Sequence, residues 1–109
     1  MKDLISKSLF DAVYNCDISK DDDMLRYYKR INIDEFAYKS KEWILNQKDK
    51  DCLYIADQFS LNIESQMGVI KYFWCVLLKN NSRISPEFKA DSEIEAIIKA
   101  CEWILEQNK

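Results

Sequence analysis

Two residue types on which most tight turns depend are almost absent from this chain: its 109 residues include a single glycine, Gly68, and a single proline, Pro86. Hairpins and bulges are usually built on residues that accept positive φ or arrive with φ preset. An all-β fold is therefore disfavoured. Helices suit the composition better, because helix-to-helix connections can be made with Asn, Asp and Ser. With 48% of residues apolar, the chain can bury a core of its own. The expected fold is all-α: one domain over residues 1–109, a compact bundle of five or six helices around a central apolar helix at about 63–79.

The apolar spacing supplies the elements of that bundle. From Asp3 to Cys16, residues Ile5, Leu9, Ala12, Val13 and Cys16 recur at helical intervals, leaving Leu4, Phe10 and Tyr14 off the stripe. Ser19 reads as the cap of a second helix, about Lys20 to Ile31, with Met24, Leu25, Tyr28 and Ile31 inward and Asp23, Arg26, Tyr27 and Arg30 outward. Asn32 or Asp34 caps a third helix to about Lys48, with Phe36, Ser40, Trp43, Ile44 and Gln47 on one side and Tyr38 and Leu45 on the other. Lys48 to Asp51 reads as a turn, and Cys52, Ile55, Ala56, Phe59 and Ile63 as a fourth helix.

The most apolar segment is Ile63 to Lys79, with Ile63, Met67, Ile70, Trp74 and Leu77 in heptad spacing. A buried strand over Val69 to Leu78 is the rival reading, since branched and aromatic residues crowd there. It is set aside because no second strand stands out to pair with it. Asn80 to Ser85 reads as a loop, Ser85-Pro86-Glu87 as a helix start with proline at its first position, and Ser92 as the start of a last helix with Ile94, Ile97, Ile98, Cys101, Ile104 and Leu105 in one stripe. Glu42-Trp43-Ile44-Leu45 returns as Glu102-Trp103-Ile104-Leu105, and seven of the thirteen positions in 35–47 match those in 95–107. A duplication would relate the first three helices to the second half of the chain; convergent helix composition explains the match equally well.

For chemistry the informative absence is histidine, of which there is none. That removes Ser-His-Asp and Cys-His nucleophilic systems and the usual proton shuttle near neutral pH. The four cysteines, Cys16, Cys52, Cys75 and Cys101, form no CxxC pair and are read as free thiols, with Cys16 and Cys101 on apolar stripes. The acids Asp21, Asp22, Asp23, Asp34 and Glu35 sit where helices begin, which the helix dipole explains better than carboxylate catalysis. The expectation is a protein that is not an enzyme, without metal or cofactor.

A net charge of −3 disfavours nucleic acid as a partner. No basic-plus-apolar leader opens the chain and no apolar run reaches the roughly 18 residues that span a bilayer, so a cytoplasmic location off the membrane is expected. What remains is a surface that binds another protein. Asp17, Asp21, Asp22, Asp23, Tyr27 and Tyr38 suggest an acidic patch seeded with tyrosine, and Leu45 an apolar surplus beside it. Such a small acidic chain suits a bacterial immunity protein that binds and neutralises a cognate basic toxin, such as a nuclease. The alternative is a small helical regulatory or adaptor protein or a homodimeric assembly factor, and either a monomer or a homodimer fits. A helix-turn-helix using Arg26, Lys29 and Arg30 is opposed by the aspartates around it.

Overall fold

The computed structural model describes residues 5–47, 58–66 and 69–107, giving only the backbone path at 64–66 and 69–71. Among them run α1 (Lys7–Tyr14), α2 (Asp22–Lys29), α3 (Ile33–Asn46), β1 (Gln58–Gln66), β2 (Val69–Lys79), β3 (Ser82–Arg83), β4 (Phe88–Ala90) and α4 (Glu93–Gln107). This is a mixed α/β fold with a four-stranded antiparallel sheet, and the all-α bundle is overturned. The expected turn at 48–51 and the part of the expected fourth helix at 52–57 lie outside the described residues.

The largest correction falls on the expected central helix at 63–79. Its residues pair in register as two strands, with Phe59 opposite Leu77, Leu61 opposite Cys75 and Ile63 opposite Phe73. The overlooked partner strand is β1, whose Phe59, Leu61 and Ile63 alternate with Ser60 and Asn62 at a period of two. Phe59 and Ile63 are also four apart, and that spacing resembles a helical stripe when Leu61 is not counted. In β2 the branched and aromatic residues favour an extended chain, and the two faces of a strand receive alternate residues. Cys75 and Leu77 enter the core from one face, and Val76, also buried, belongs to the other.

How a sheet forms with so little glycine is visible at the β2–β3 hairpin. Lys79 pairs with Ser82 across a two-residue turn in which Asn80 and Asn81 both take positive φ, 53° and 65°. Asparagine tolerates this region better than other residues with a side chain, so the pair serves where glycine usually would. The connection between β1 and β2 contains the one glycine of the chain, between Gln66 and its register partner Val69. The expected helix start at Ser85-Pro86-Glu87 is likewise corrected. Ser85 is buried there, and its hydroxyl accepts a hydrogen bond from the Leu77 amide at 3.0 Å, holding the edge between β3 and β4 in the ladder. Pro86 sits in this break of an edge, where its lack of an N–H costs no pairing.

The helices follow expectation more closely. α1 is capped by Ser6, whose Oγ accepts from the Leu9 amide at 3.1 Å, and is ended by Asn15 in the left-handed region. Phe10, expected off the stripe, is fully buried. α2 is capped by Asp21 instead of Ser19, and Asn32 caps α3. α4 buries Ile94, Ile97, Ile98, Cys101 and Ile104 against β2, β4 and α3. α4 packs on β2 and β4 and α3 on β1, while α1 packs on α3 and α4, and the core lies where these elements meet. Trp43 and Trp103 of the repeated motif are both half-buried, on α3 and α4, but the second half of the chain contributes strands where a duplication requires helices. Among the described residues no helix is long and apolar enough to cross a membrane.

Candidate functional site

The first helix ends sharply because Asn15 turns left-handed (φ 52°), sending the chain through an acidic loop before α2 begins. Asp11 holds that loop, accepting from the Ile18 amide at 3.0 Å and from the Cys16 thiol at 3.6 Å. Asp17 folds over Ser19, accepting from its hydroxyl at 2.6 Å and its amide at 3.0 Å, which holds the Asp17 carboxyl below its ordinary value. Asp21 accepts from the amides of Asp23 and Met24, both at 3.1 Å, and so caps α2. Asp23 pairs with Arg26 at 3.0 Å, both side chains well exposed. Three of the four aspartates expected at a binding site therefore shape the local backbone or pair nearby, and Asp22 faces outward beside a small pocket with Lys7 and Asp11.

Behind this acidic turn is an open cleft of about 430 Å³ where α1, α2 and α3 meet, lined by Tyr14, Asp23, Met24, Tyr27, Glu35 and Lys39. Its floor is aromatic. Phe10 stacks on Tyr14 with ring centroids 4.5 Å apart, Tyr14 meets Tyr27 edge-on at 5.6 Å, and Tyr14 lies 6.2 Å from Phe36. The Tyr27 hydroxyl donates to the Glu35 carboxylate. Burial, and then this bond, push the Tyr27 hydroxyl well above the usual tyrosine range, so it stays a neutral donor. Burial raises Tyr14 as well. Tyr28 turns the other way and donates to the Ile5 carbonyl at 2.7 Å, locking α2 to the start of α1.

Tyr38 and Leu45 are not part of this cleft. Both project from the outward side of α3, exposed by 62% and 38%. Tyr38 borders a separate groove of about 370 Å³ between α3 and the start of α4, crossed by the Lys41–Glu93 ion pair at 2.8 Å. The Glu42 carboxylate raises the Tyr38 hydroxyl. The patch expected from sequence thus divides into two: Asp23 and Tyr27 in the cleft with Asp17, Asp21 and Asp22 at its approach, and Tyr38 and Leu45 on another side. Trp103 of α4 packs on Phe88 of β4, with ring centroids 6.3 Å apart.

Tyr14, Met24, Glu35 and Lys39 were missed as cleft residues. A signal existed for two of them, since Glu35 and Lys39 stand one turn apart on a single face of α3. Tyr14 was hidden because only contact with α2 and α3 makes it a floor. As for reactivity, Cys16, Cys75 and Cys101 are free thiols. Burial pushes the Cys75 thiol up to about 12 and raises Cys101 too, so both are held neutral inside the core. Among the described residues no cluster of three Cys, Asp or Glu side chains is placed to hold a metal ion. What the cleft offers is two tyrosine rings, two carboxylates and one ammonium, a set suited to receiving the cationic side chain of another molecule. No protein-family model, curated protein or solved structure matches this chain.

Proposed function

We propose that the protein is a non-catalytic binding protein, an immunity-type inhibitor that neutralises a basic toxin domain, such as a nuclease, in the bacterial cytoplasm. The observation that carries this reading is the cleft of α1, α2 and α3, in which Tyr14 and Tyr27 present aromatic surface beside Asp23 and Glu35. An arginine or lysine of the toxin would lay its stem on the rings and its charge between the carboxylates. Asp17, Asp21 and Asp22 lie on the approach, where like-signed charges steer a cationic partner and raise the rate of encounter. The aromatic cleft, partly desolvated, then governs dissociation.

Roles follow from how each acid is held. Asp21 is committed to the cap of α2, so reversing its charge would disturb the helix as well as the field. Asp22 and Asp23 are the cleaner probes. The test is co-expression with the protein encoded by the neighbouring reading frame. That neighbour should be toxic alone, and this chain should restore growth. With the purified pair, Asp22→Lys with Asp23→Lys should lower the association rate about tenfold at low salt and much less at high salt. Tyr27→Ala should raise the dissociation rate instead. A harmless neighbour, or toxicity that this chain leaves unrelieved, rejects the reading.

A further inference from the structure

The two edges of the sheet are built very differently. On one side of β2 the edge is broken into β3, of two residues, and β4, of three, with Pro86 between them and Lys89 on β4. Short strands, proline and lysine are the devices by which sheet edges avoid pairing with other chains. On the other side β1 runs for nine residues, and among the described residues no strand pairs with its outer edge. From Gln58 to Ile63 it carries no charge and no proline. Its register with β2 is unbroken until the irregularity between Glu64 and Ser65, so 59–63 is a regular stretch whose outer backbone donors and acceptors no strand among the described residues takes up.

We infer that this edge pairs with a second copy of the chain, β1 against β1 antiparallel about a twofold axis at Leu61. The strand is self-complementary in that register. Phe59 falls opposite Ile63 of the second copy, Leu61 opposite Leu61, and Ser60 opposite Asn62. Apolar thus meets apolar on the face toward the core, and polar meets polar on the other. That Ser60 and Asn62 share the outer face is shown by the bond from Asn62 Nδ2 to Ser60 Oγ at 2.7 Å. No like charges oppose each other within the five pairs.

The register also accounts for Ile63. Although Phe59 and Leu61 pack against the core from the same face, Ile63 is 58% exposed, the most exposed large aliphatic side chain among the described residues. In the paired sheet, Phe59 of the second copy lies directly across from it, within the contact range of a cross-strand pair. A twofold interface satisfies both copies at once, since each supplies the Phe59 that covers the other's Ile63. The joined sheet would have eight strands, with only the broken β3–β4 edges left outside. A five-pair ladder buries less than the roughly 1,600 Å² of a standard interface, so the dimer is concentration-dependent. None of these residues lines the acidic cleft, and the inference does not depend on the toxin reading.

Sedimentation equilibrium over a hundredfold range of concentration tests it. The weight-average mass should rise from 13.0 kDa toward twice that value. Ile63→Lys, at an exposed position that leaves folding intact, should hold the chain at the monomer mass with an unchanged circular dichroism spectrum. Tyr38→Lys, at an exposed hydrophobic site on α3 away from β1, should dimerise like the parent. Register is read separately, in a Cys75→Ala background because Cys75 lies opposite position 61 within the chain: on oxidation Leu61→Cys should form a covalent dimer across the axis, whereas Ile63→Cys, whose two copies lie beyond disulfide reach, should not. A parent chain that is monomeric throughout overturns the inference, as does a dimer insensitive to Ile63→Lys or broken by Tyr38→Lys, or equal cross-linking of the two cysteine variants. A monomer whose toxin binding is weakened by Ile63→Lys would assign the edge to that partner's strand and overturn self-pairing.

Discussion

α4 and β2 are the two most apolar stretches of the molecule, and they meet face to face in its core, yet one is a helix and the other a strand. In α4 the buried residues Ile94, Ile97, Ile98, Cys101 and Ile104 keep to one stripe, and Glu93, Glu95, Lys99, Glu102 and Glu106 fill the rest. Ala96 and Ala100, the best helix formers, lie within it. In β2 the apolar residues run consecutively from Tyr72 to Leu78, without alanine and without charge. A helix with that run would be apolar all round and would need cover on every side. A strand needs cover on two faces only, and its flanks are satisfied by β1, β3 and β4. An apolar run without a polar stripe therefore points to a central strand even when its residues also fit a heptad.

The comparison can be broken first in the core. Leu77→Ala and Ile97→Ala remove fully buried side chains from the two facing elements, and each should cost about 2–5 kcal/mol in urea unfolding. If Leu77→Ala proved cheap while Ile97→Ala did not, β2 would not be the central strand. Ser85→Ala should cost about 1–3 kcal/mol, because it strands the Leu77 amide in a buried place. The chain ends of each element come next. Asn81→Val forces a branched residue into positive φ and should cost about 1–2 kcal/mol, while Asn81→Gly should be tolerated. Its helical counterpart, Ser92→Ala, removes the acceptor of the Glu95 amide at 3.3 Å and should cost about 1 kcal/mol.

The smallest effect is alkaline. Cys75 of β2 and Cys101 of α4 both have thiols raised by burial, from an ordinary value of 9.0 to about 12 in Cys75. A raised folded-state pKa means that the unfolded chain loses its proton first. Their contribution is therefore complete below about pH 9 and is lost as pH rises toward 12. Tyr14 and Tyr27 add to the same loss above about 10. Urea midpoints from pH 8 to 10.5 should fall, and Cys75→Ala should flatten the first part of that fall. A flat profile in the parent chain would contradict the burial of both thiols.

Several features are legible in the amino-acid order alone. The caps Asn32 and Ser92, the inward stripes of α3 and α4, and the outward Tyr38 and Leu45 all follow from local spacing and local hydrogen bonds. The sheet is not legible there because its signal is shared between distant segments. β1 alternates cleanly for only five residues, and β3 and β4 are too short to carry a pattern. The scarcity of glycine misleads for an identifiable reason: Asn80 and Asn81 supply the positive φ that the hairpin needs. Of the cleft, the acids and Tyr27 are visible as a run, but Tyr14, Met24, Glu35 and Lys39 join it only through packing.

By itself, then, the sequence determined what depends on neighbours within a turn or two: where α1, α3 and α4 lie, which acid-rich segment precedes α2, and the lack of histidine that narrows the chemistry. The tertiary structure decided what depends on a partner far along the chain. A strand has no internal hydrogen bonds, so whether 69–79 is extended rests on β1 and β4 being there to pair with it. The same holds for the cleft, which exists because three helices converge on Phe10, Tyr14 and Tyr27, and for the bare edge of β1, which is an edge only once the order of the sheet is known.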